Sequence, residues 1–274
     1  MKNSIKSRIY KISLKFLLFT FLTILTQIGG LVYLLSLFLA NRIRFNFPFK
    51  KLSFFLVLYA IATFLIVPML APVFGRERIK NTNSIKPVNI GYVLLNRNYV
   101  VPQLNILLQN TSDDLKENGS SIELLYLDAN FPFINGFPLL PHSTHSDGKK
   151  IDFGLVYENE KGEIHNLQKS RSGYGVFEKP LETEIDQTEI CLERGYFYYE
   201  FPQYLTLGSI NKSLVFSEEG TKILLLSLLK NEVVEKVFIE PNLKNRLKLD
   251  AEDKIVFQGC RSVRHDDHIH LQVK

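Results

Sequence analysis

The sequence predicts an α+β protein: an N-terminal two-helix transmembrane hairpin followed by a domain with a central mixed or antiparallel sheet. Two long apolar runs, 16–40 and 52–74, contain no charged residue, and about 20 apolar residues are enough to cross the hydrocarbon core of a bilayer. Beyond residue 75, short strand-like and helix-like segments follow one another, which is typical of an α+β domain. All 28 acidic residues also lie in that second part of the chain.

Three regions are predicted: a transmembrane hairpin in 1–75, a linker and the start of the soluble domain in 76–120, and the main domain in 121–274. A cleavable signal peptide is the alternative for the first apolar run. That run is longer than the roughly 7–15 apolar residues of a signal peptide, and a second run follows at once. The sequence therefore favours a hairpin, which would place the N-terminus and the domain on the same side of the membrane.

The basic residues of the N-terminal part indicate a lipid partner rather than nucleic acid, because they flank apolar segments. They do not fix the orientation. The basic turn at 41–51 favours a cytoplasmic loop and an outside domain, whereas the basic N-terminus together with Arg76, Arg78 and Lys80 favours the reverse. The oligomeric state is also left open.

The domain elements follow from periodicity and turn residues. Strand patterns occur at 89–95, 121–127, 151–157, 195–199, 233–239, 254–258 and 269–273. Helix patterns occur at 217–229, where Ser217 can cap the first turn, and at 241–249. The polar stretch 75–88 is expected to be the linker.

Five of the six histidines fall into two short clusters, at 142–145 and 265–270. In the first, His145 and Asp152 are separated by a turn in which Gly148 gives the chain conformational freedom. In the second, His268 and His270 are two apart, so a strand would direct both side chains to one face. Imidazole and carboxylate are zinc ligands, and a catalytic site has three of them and an open position.

Each cluster alone has a plainer interpretation. A His-x-His pair occurs by chance on surface strands, and Asp266-Asp267 by itself indicates a solvated turn. The two cysteines, Cys191 and Cys260, permit either one disulfide or two buried thiols, but no four-cysteine zinc site. It is the combination of both histidine clusters that indicates a site.

The pattern Ser-x-His145-x-x-Gly-x-x-x-Asp152, followed far downstream by His268-x-His270, resembles the metallopeptidase clan of D-Ala-D-Ala peptidases, lysostaphin-type enzymes and the hedgehog signalling domain. The ending His265-x-x-His268-x-His270 is closest to penicillin-insensitive murein endopeptidases. The similarity extends over roughly the last 150 residues, but it is specific only at the two motifs.

The resemblance implies a zinc peptidase acting on peptidoglycan peptides, with His145, Asp152 and His270 as the metal ligands. His268 would stabilise the oxyanion, His265 would be the general base, and accessory residue His142 would line the cleft. The resemblance further implies a bacterial cell membrane location with the domain facing the periplasm or the outside. It does not distinguish endopeptidase from carboxypeptidase action or identify a regulatory partner.

Two features depart from the family. Its members are generally soluble and exported, and small residues stand where this chain has Lys150. The alternatives are a noncatalytic zinc-binding module on the same fold and a membrane scaffold in which the histidines are incidental.

Overall fold

The N-terminal part of the chain is helical. The computed structural model describes residues 2–44, 47–140, 142 and 144–274. Helix α1 (Lys2–Thr26) is followed after two residues by α2 (Gly29–Arg42). The chain is then helical from Lys50 to Phe74, as α3 (Lys50–Ile61), a π-helical turn, α4 (Val67–Leu70) and a 3-10 turn.

The predicted single span over 16–40 is wrong, because the chain reverses between α1 and α2. Gln27 adopts a positive φ of 66°. At Gly30 a Cβ atom would lie 2.0 Å from Thr23 Oγ1 and 2.7 Å from the carbonyl oxygen of Phe19, so only glycine allows this close approach. Helix α1 packs against α2, and α2 packs against α3. The first predicted span is thus divided between two packed helices, α1 and α2, and the predicted number of two membrane crossings stays a prediction.

Two of these helices, Lys6–Thr26 and Lys50–Phe74, are long and apolar enough to cross a membrane by length and composition. Helix α2 is shorter, with 14 residues. The apolar side chains of all three are largely exposed in the isolated chain, and Val73 and Met69, for example, are 80% and 77% exposed. Exposed apolar surfaces of this extent are typical of membrane or protein–protein contact sites.

A mixed six-stranded sheet forms the centre of the domain. The strands of the domain are β1 (Glu77–Arg78), β2 (Ile85–Pro87), β3 (Tyr99–Val100), β4 (Leu124–Tyr126), β5 (Lys150–Gly154), β6 (Tyr157–Glu158), β7 (Ile164–His165), β8 (Val215–Phe216), β9 (Val234–Phe238), β10 (Ile255–Val256) and β11 (His268–Val273). The large sheet has the order β10-β9-β11-β5-β4-β2. Its two outer pairs are parallel and its inner pairs antiparallel. This arrangement confirms the predicted α+β class.

Helices cover the sheet. They are α5 (Gly91–Leu94), α6 (Pro102–Glu117), α7 (Gln187–Glu193), α8 (Glu218–Leu229) and α9 (Pro241–Arg246). The predicted helices at 217–229 and 241–249 are present, and the Ser217 hydroxyl accepts a hydrogen bond from the Gly220 N–H at 3.2 Å as expected of a cap. The leucines of α6 and α8 pack into the same core as the inner face of the sheet.

Several local predictions are wrong. The expected linker at 75–88 contains β1 and β2, with Ile85 only 2% exposed in the core. The expected strand at 89–95 contains the helical turn Gly91–Leu94, and the one at 195–199 enters a 3-10 segment, Phe197–Leu205. In both, tertiary packing overrides the β propensity of the aromatic and branched side chains.

The helices and the domain are joined by specific contacts as well as by the chain. The Gln27 side-chain oxygen, at the turn between α1 and α2, accepts a hydrogen bond of 2.9 Å from the Phe133 N–H. Tyr59 in α3 donates to the Leu94 carbonyl at 2.7 Å. Just after the last helical turn, Arg76 is 1% exposed and donates to the carbonyls of Phe131 and, at 3.0 Å, Ser146. The loop between β4 and β5 is therefore held by the N-terminal helices.

Candidate metal centre

The pairing of β5 with β11 brings the two predicted motifs together. Asp152 lies directly opposite His270 in this antiparallel pair, which places their side chains on the same face. His268 lies two residues before His270, on the same face, as the His-x-His spacing predicts. Ile269 and Leu271 point to the other side and are fully buried in the core.

His145 reaches this face from the loop that precedes β5. Gly148 turns the chain with a φ of 85°, and its N–H donates to the Asn130 side chain at 3.0 Å. His145 Nδ1 lies 2.7 Å from the Ala129 carbonyl oxygen. An Nδ1–H donated to that carbonyl leaves the Nε2 lone pair free to face the β5–β11 pair.

Three ligand-type atoms form a small buried triangle. His145 Nε2 is 3.2 Å from Asp152 Oδ1 and 3.1 Å from His270 Nδ1, and His270 Nδ1 is 3.0 Å from the same carboxylate oxygen. None of the three residues is more than 3% exposed. Ligands about 2.0–2.1 Å from a tetrahedral zinc ion are roughly 3.3–3.4 Å apart, so the triangle is close to the size that the ion requires.

His142 offers a second set of three. Its Nδ1 lies 3.3 Å from Asp152 Oδ2 and 3.4 Å from Asp128 Oδ2. The ligand atoms of His142, His145 and Asp152 all lie within 4.8 Å of one another, and this buried group could hold a metal ion. The two sets share His145 and Asp152 and differ in whether His142 or His270 supplies the third atom.

Tyr174 completes the surroundings of the carboxylate. Its hydroxyl donates to Asp152 Oδ2 at 2.7 Å, and the hydroxyl oxygen accepts the Asp128 N–H at 3.2 Å. The ring packs against His142 and His268 with centroid distances of 4.7 and 4.9 Å. Because Oδ2 accepts the hydrogen bond of the tyrosine hydroxyl, Oδ1 is the oxygen that belongs to the triangle.

His268 is oriented by its neighbour. Asp267 Oδ1 lies 2.5 Å from His268 Nδ1, and Asp267 Oδ2 accepts the Gly175 N–H at 2.5 Å. The other ring nitrogen, Nε2, lies 3.9 Å from Asp152 Oδ2. Burial opposes protonation of His268, but the charges of Asp267 and Asp152 raise its pKa to about 9. These two carboxylates therefore favour the protonated imidazole, which is a hydrogen-bond donor.

His265 and His270 are in the opposite protonation state. Burial holds the pKa of His265 well below its ordinary value and lowers that of His270 to about 4. Neutral imidazoles have a lone pair for a metal ion or a proton. The ring of His265 lies 4.8 Å from that of His268. Two neighbouring imidazoles with opposite charge states are a typical acid–base arrangement.

A cavity of about 260 Å³ opens onto this group. The imidazoles of His142, His265, His268 and His270 line this cavity. His145 and Asp152 lie beneath, at 0% exposure. A small molecule in the cavity can thus contact His270, the member of the triangle that lines it.

The structure brings every sequence-predicted site residue to this one place, and it also adds three. Tyr174, Asp128 and Asp267 were not predicted as functional. Tyr174 had one sequence signal, its position between Gly173 and Gly175, which adopt φ values of 90° and 81° and fix the loop.

Asp266 and Asp267 do not form the expected solvated turn, since both are 1% exposed. Asp266 instead accepts hydrogen bonds from Arg264, at 2.7 Å to Nε.

The cysteines form a disulfide between Cys191 in α7 and Cys260, so the interpretation as two buried thiols is wrong. Disulfides persist in oxidising compartments outside the cytosol.

No family model matches the chain, and no curated protein matches it.

Proposed function

We propose that the chain is a membrane-anchored zinc peptidase that hydrolyses amide bonds in peptidoglycan stem peptides or cross-links. The observation that carries the proposal is the triangle of His145 Nε2, Asp152 Oδ1 and His270 Nδ1, with edges of 3.0–3.2 Å. Its members come from a loop and two paired strands. The sequence resemblance to murein endopeptidases supplies the substrate class.

The donor set fits zinc. Asp152 Oδ1 is buried and has no hydrogen-bond donor among the residues that the structure describes, and an unsatisfied buried carboxylate oxygen is costly. A divalent cation would remove that cost. Two imidazoles and one carboxylate are a common ligand set of catalytic zinc. The Ala129 carbonyl is hydrogen-bonded to His145 and the Tyr174 hydroxyl to Asp152, and such partners orient metal ligands.

The choice of His270 over His142 rests on the carboxylate oxygen that each contacts. His145 and His270 both approach Oδ1, whereas His142 approaches Oδ2, which Tyr174 already occupies at 2.7 Å. The three atoms of the first set would hold a single ion, with edges close to those of a tetrahedral zinc site. His142 is then an accessory residue at the cavity wall.

The remaining imidazoles supply the proton chemistry. Bound zinc lowers the pKa of a water ligand to about 7 and polarises a carbonyl. His265, neutral and at the cavity wall, accepts the proton of the attacking water. His268, protonated, donates a hydrogen bond to the carbonyl oxygen as it gains negative charge. A C–O bond forms, the C–N bond breaks, and the proton passes to the leaving nitrogen, giving a carboxylate and an amine without any redox change.

The three N-terminal helices support an anchor with a defined orientation. The turn at Gln27 lies against the domain, through its hydrogen bond to Phe133, so α1 runs towards the domain and α2 runs away from it. Helix α3 begins at the far end, where Lys50 Nζ donates to the Ile43 carbonyl at 2.5 Å. The start of α1, the end of α2 at Arg42 and the start of α3 at Lys50 therefore lie towards the end of the helices that is remote from the domain.

Basic residues occur at the remote end of all three helices: Lys6 and Arg8 near the start of α1, Arg42 at the end of α2, and Lys50 and Lys51 at the start of α3. Residues 1–75 contain no acid. The basic residues near the domain are a weaker signal for the opposite orientation. Arg76 is buried in the domain, and Arg78 stacks on Phe64 at 5.3 Å. By the positive-inside rule, we propose that this end faces the cytoplasm and that the domain lies outside. This orientation requires the 14-residue α2 to cross the bilayer together with the two longer helices. The disulfide agrees with that location.

The experiment uses the full chain in detergent, because the helices hold the loop that carries His145. Wild type, His145→Ala and His265→Ala are compared for bound zinc and for release of products from peptidoglycan fragments. We expect about one zinc per chain in wild type, loss of zinc in His145→Ala, and retention of zinc without hydrolysis in His265→Ala. Zinc binding without any hydrolysis by wild type would contradict the peptidase proposal and favour a noncatalytic zinc module.

The orientation has its own test. A tag placed before Met1 and a tag placed after Lys274 are probed with a protease in intact cells and after lysis. We expect only the C-terminal tag to be accessible in intact cells once the outer layers are opened. Accessibility of both tags would contradict the orientation and restore the two-helix hairpin.

A further inference from the structure

A second cavity continues from the one that faces the metal centre. It has a volume of about 500 Å³. The two cavities share two lining residues, Gln258 and Arg261. Together they form a groove that leads from the four imidazoles to the surface beside α7. We call it the long groove.

The charged residues of the long groove are all of one sign. Of the described residues that line the two cavities, none is Asp or Glu, whereas Arg194 and Arg261 both line the second cavity. Both arginines are exposed. Neither has an ion-pair partner among residues 2–44, 47–140, 142 and 144–274. A cleft whose walls have one sign of charge attracts ligands of the other sign.

The wall that carries the arginines is held in place. The disulfide joins Cys191, three residues before Arg194, to Cys260, the residue before Arg261. The Ser262 hydroxyl donates to the Gln258 side chain at 2.6 Å within the same loop. The two guanidinium groups are thus attached to backbone segments that are covalently linked. A fixed pair of cations loses less freedom on binding than two independent side chains.

We infer that the long groove is a substrate subsite, in which Arg194 and Arg261 bind a free carboxylate on the peptide at some distance from the bond that is cut. This inference rests on the proposed peptidase function. Guanidinium groups recognise carboxylates through paired N–H donors. The expected substrate is therefore an acidic peptide, and amidation of its carboxylate abolishes the preference.

The test compares two synthetic fluorescent pentapeptides that end in D-Ala-D-Ala and differ only in one side chain, Glu or Gln. The Kd and kcat/KM of both are measured on the zinc-loaded full chain. Wild type is expected to favour the acidic peptide about tenfold, the lower end for hydrogen bonds to a charged group. Arg261→Gln is expected to remove that preference, so that the ratio of the kcat/KM values for the two peptides falls to about one. Arg194→Gln reduces it.

Arg171→Gln is the matched control, because Arg171 is an exposed arginine that lines neither cavity of the groove. It is expected to behave as wild type, and all variants are checked for zinc content and an intact disulfide. Equal binding of the two peptides by wild type, or equal effects of Arg261→Gln and Arg171→Gln, would overturn the inference. If wild type prefers the acidic peptide through Arg261 but cleaves neither, the subsite stands and the peptidase function fails. If it cleaves both without preference, the reverse holds.

Discussion

Removal of one hydroxyl, in Tyr174→Phe, tests whether the carboxylate of Asp152 is prepared for a metal ion by its surroundings. The hydroxyl donates to Oδ2 at 2.7 Å in a fully buried position. Phenylalanine retains the ring contacts with His142 and His268. The change therefore removes a hydrogen bond with little effect on packing.

The magnitude follows from the charge and the burial of the acceptor. A hydrogen bond to a charged group contributes about 1.5–3 kcal/mol, and loss of a partner that orients a metal ligand typically weakens metal binding about 10- to 100-fold. We expect the zinc Kd of Tyr174→Phe to rise within that range. The assay is a competition titration of the full chain with a chromophoric chelator.

Tyr92→Phe is the control. The Tyr92 hydroxyl is also buried and donates at 2.5 Å, but to the carbonyl of Ser172 rather than to Asp152. We expect its zinc affinity to match wild type. The reasoning would be refuted if Tyr174→Phe folds and binds zinc with wild-type affinity. It would also be refuted if Tyr174→Phe and Tyr92→Phe lose zinc affinity equally.

Three further predictions concern rate, pH and the helices. Asp267→Asn should keep its zinc but lower kcat roughly 10- to 150-fold, from the loss of a hydrogen bond to a charged imidazole, measured by peptide hydrolysis. Burial lowers the pKa of His270 from 6.5 to about 4, so this residue binds an extra proton in the unfolded state between these values. The thermal stability of the metal-free wild type relative to His270→Gln should therefore fall from pH 6.5 towards pH 4. Gly30→Ala should lower the Tm in detergent, because the added Cβ would lie 2.0 Å from a side-chain oxygen of α1, whereas Leu31→Ala, at a 67% exposed position, should not.

The parts of the site that follow from local periodicity were predictable. The two-residue spacing of His268 and His270 is the strand period, and β11 places both on one face while Ile269 enters the core. The same holds for α8, whose Ser217 cap and leucine spacing are local features. Such signals need no knowledge of the rest of the chain.

The parts that depend on distant contacts were not predictable. Tyr174 is 22 positions from Asp152 in a loop, and only the completed fold brings the two within 2.7 Å. Asp266 and Asp267 are buried because Arg264 and His268 neutralise them, whereas aspartates in general are exposed. Their burial is a property of partners rather than of the residue type.

The N-terminal helices show the same limit. The run 16–40 is uniformly apolar, and hydropathy does not detect that α1 and α2 are separate. The reversal depends on the close approach at Gly30 and on the hydrogen bond between Gln27 and Phe133. Hydropathy alone therefore does not fix how many times the N-terminal part would cross a bilayer.

The most direct test of the account is the zinc content of two single variants of the full chain, His270→Ala and His142→Ala, measured beside wild type after dialysis. His270 belongs to the triangle on Asp152 Oδ1, and His142 contacts the other oxygen. We expect about one zinc per chain in wild type and His142→Ala, and none in His270→Ala. Zinc retained by His270→Ala and lost by His142→Ala would contradict the ligand set, and a wild-type chain without zinc would contradict the metal centre itself.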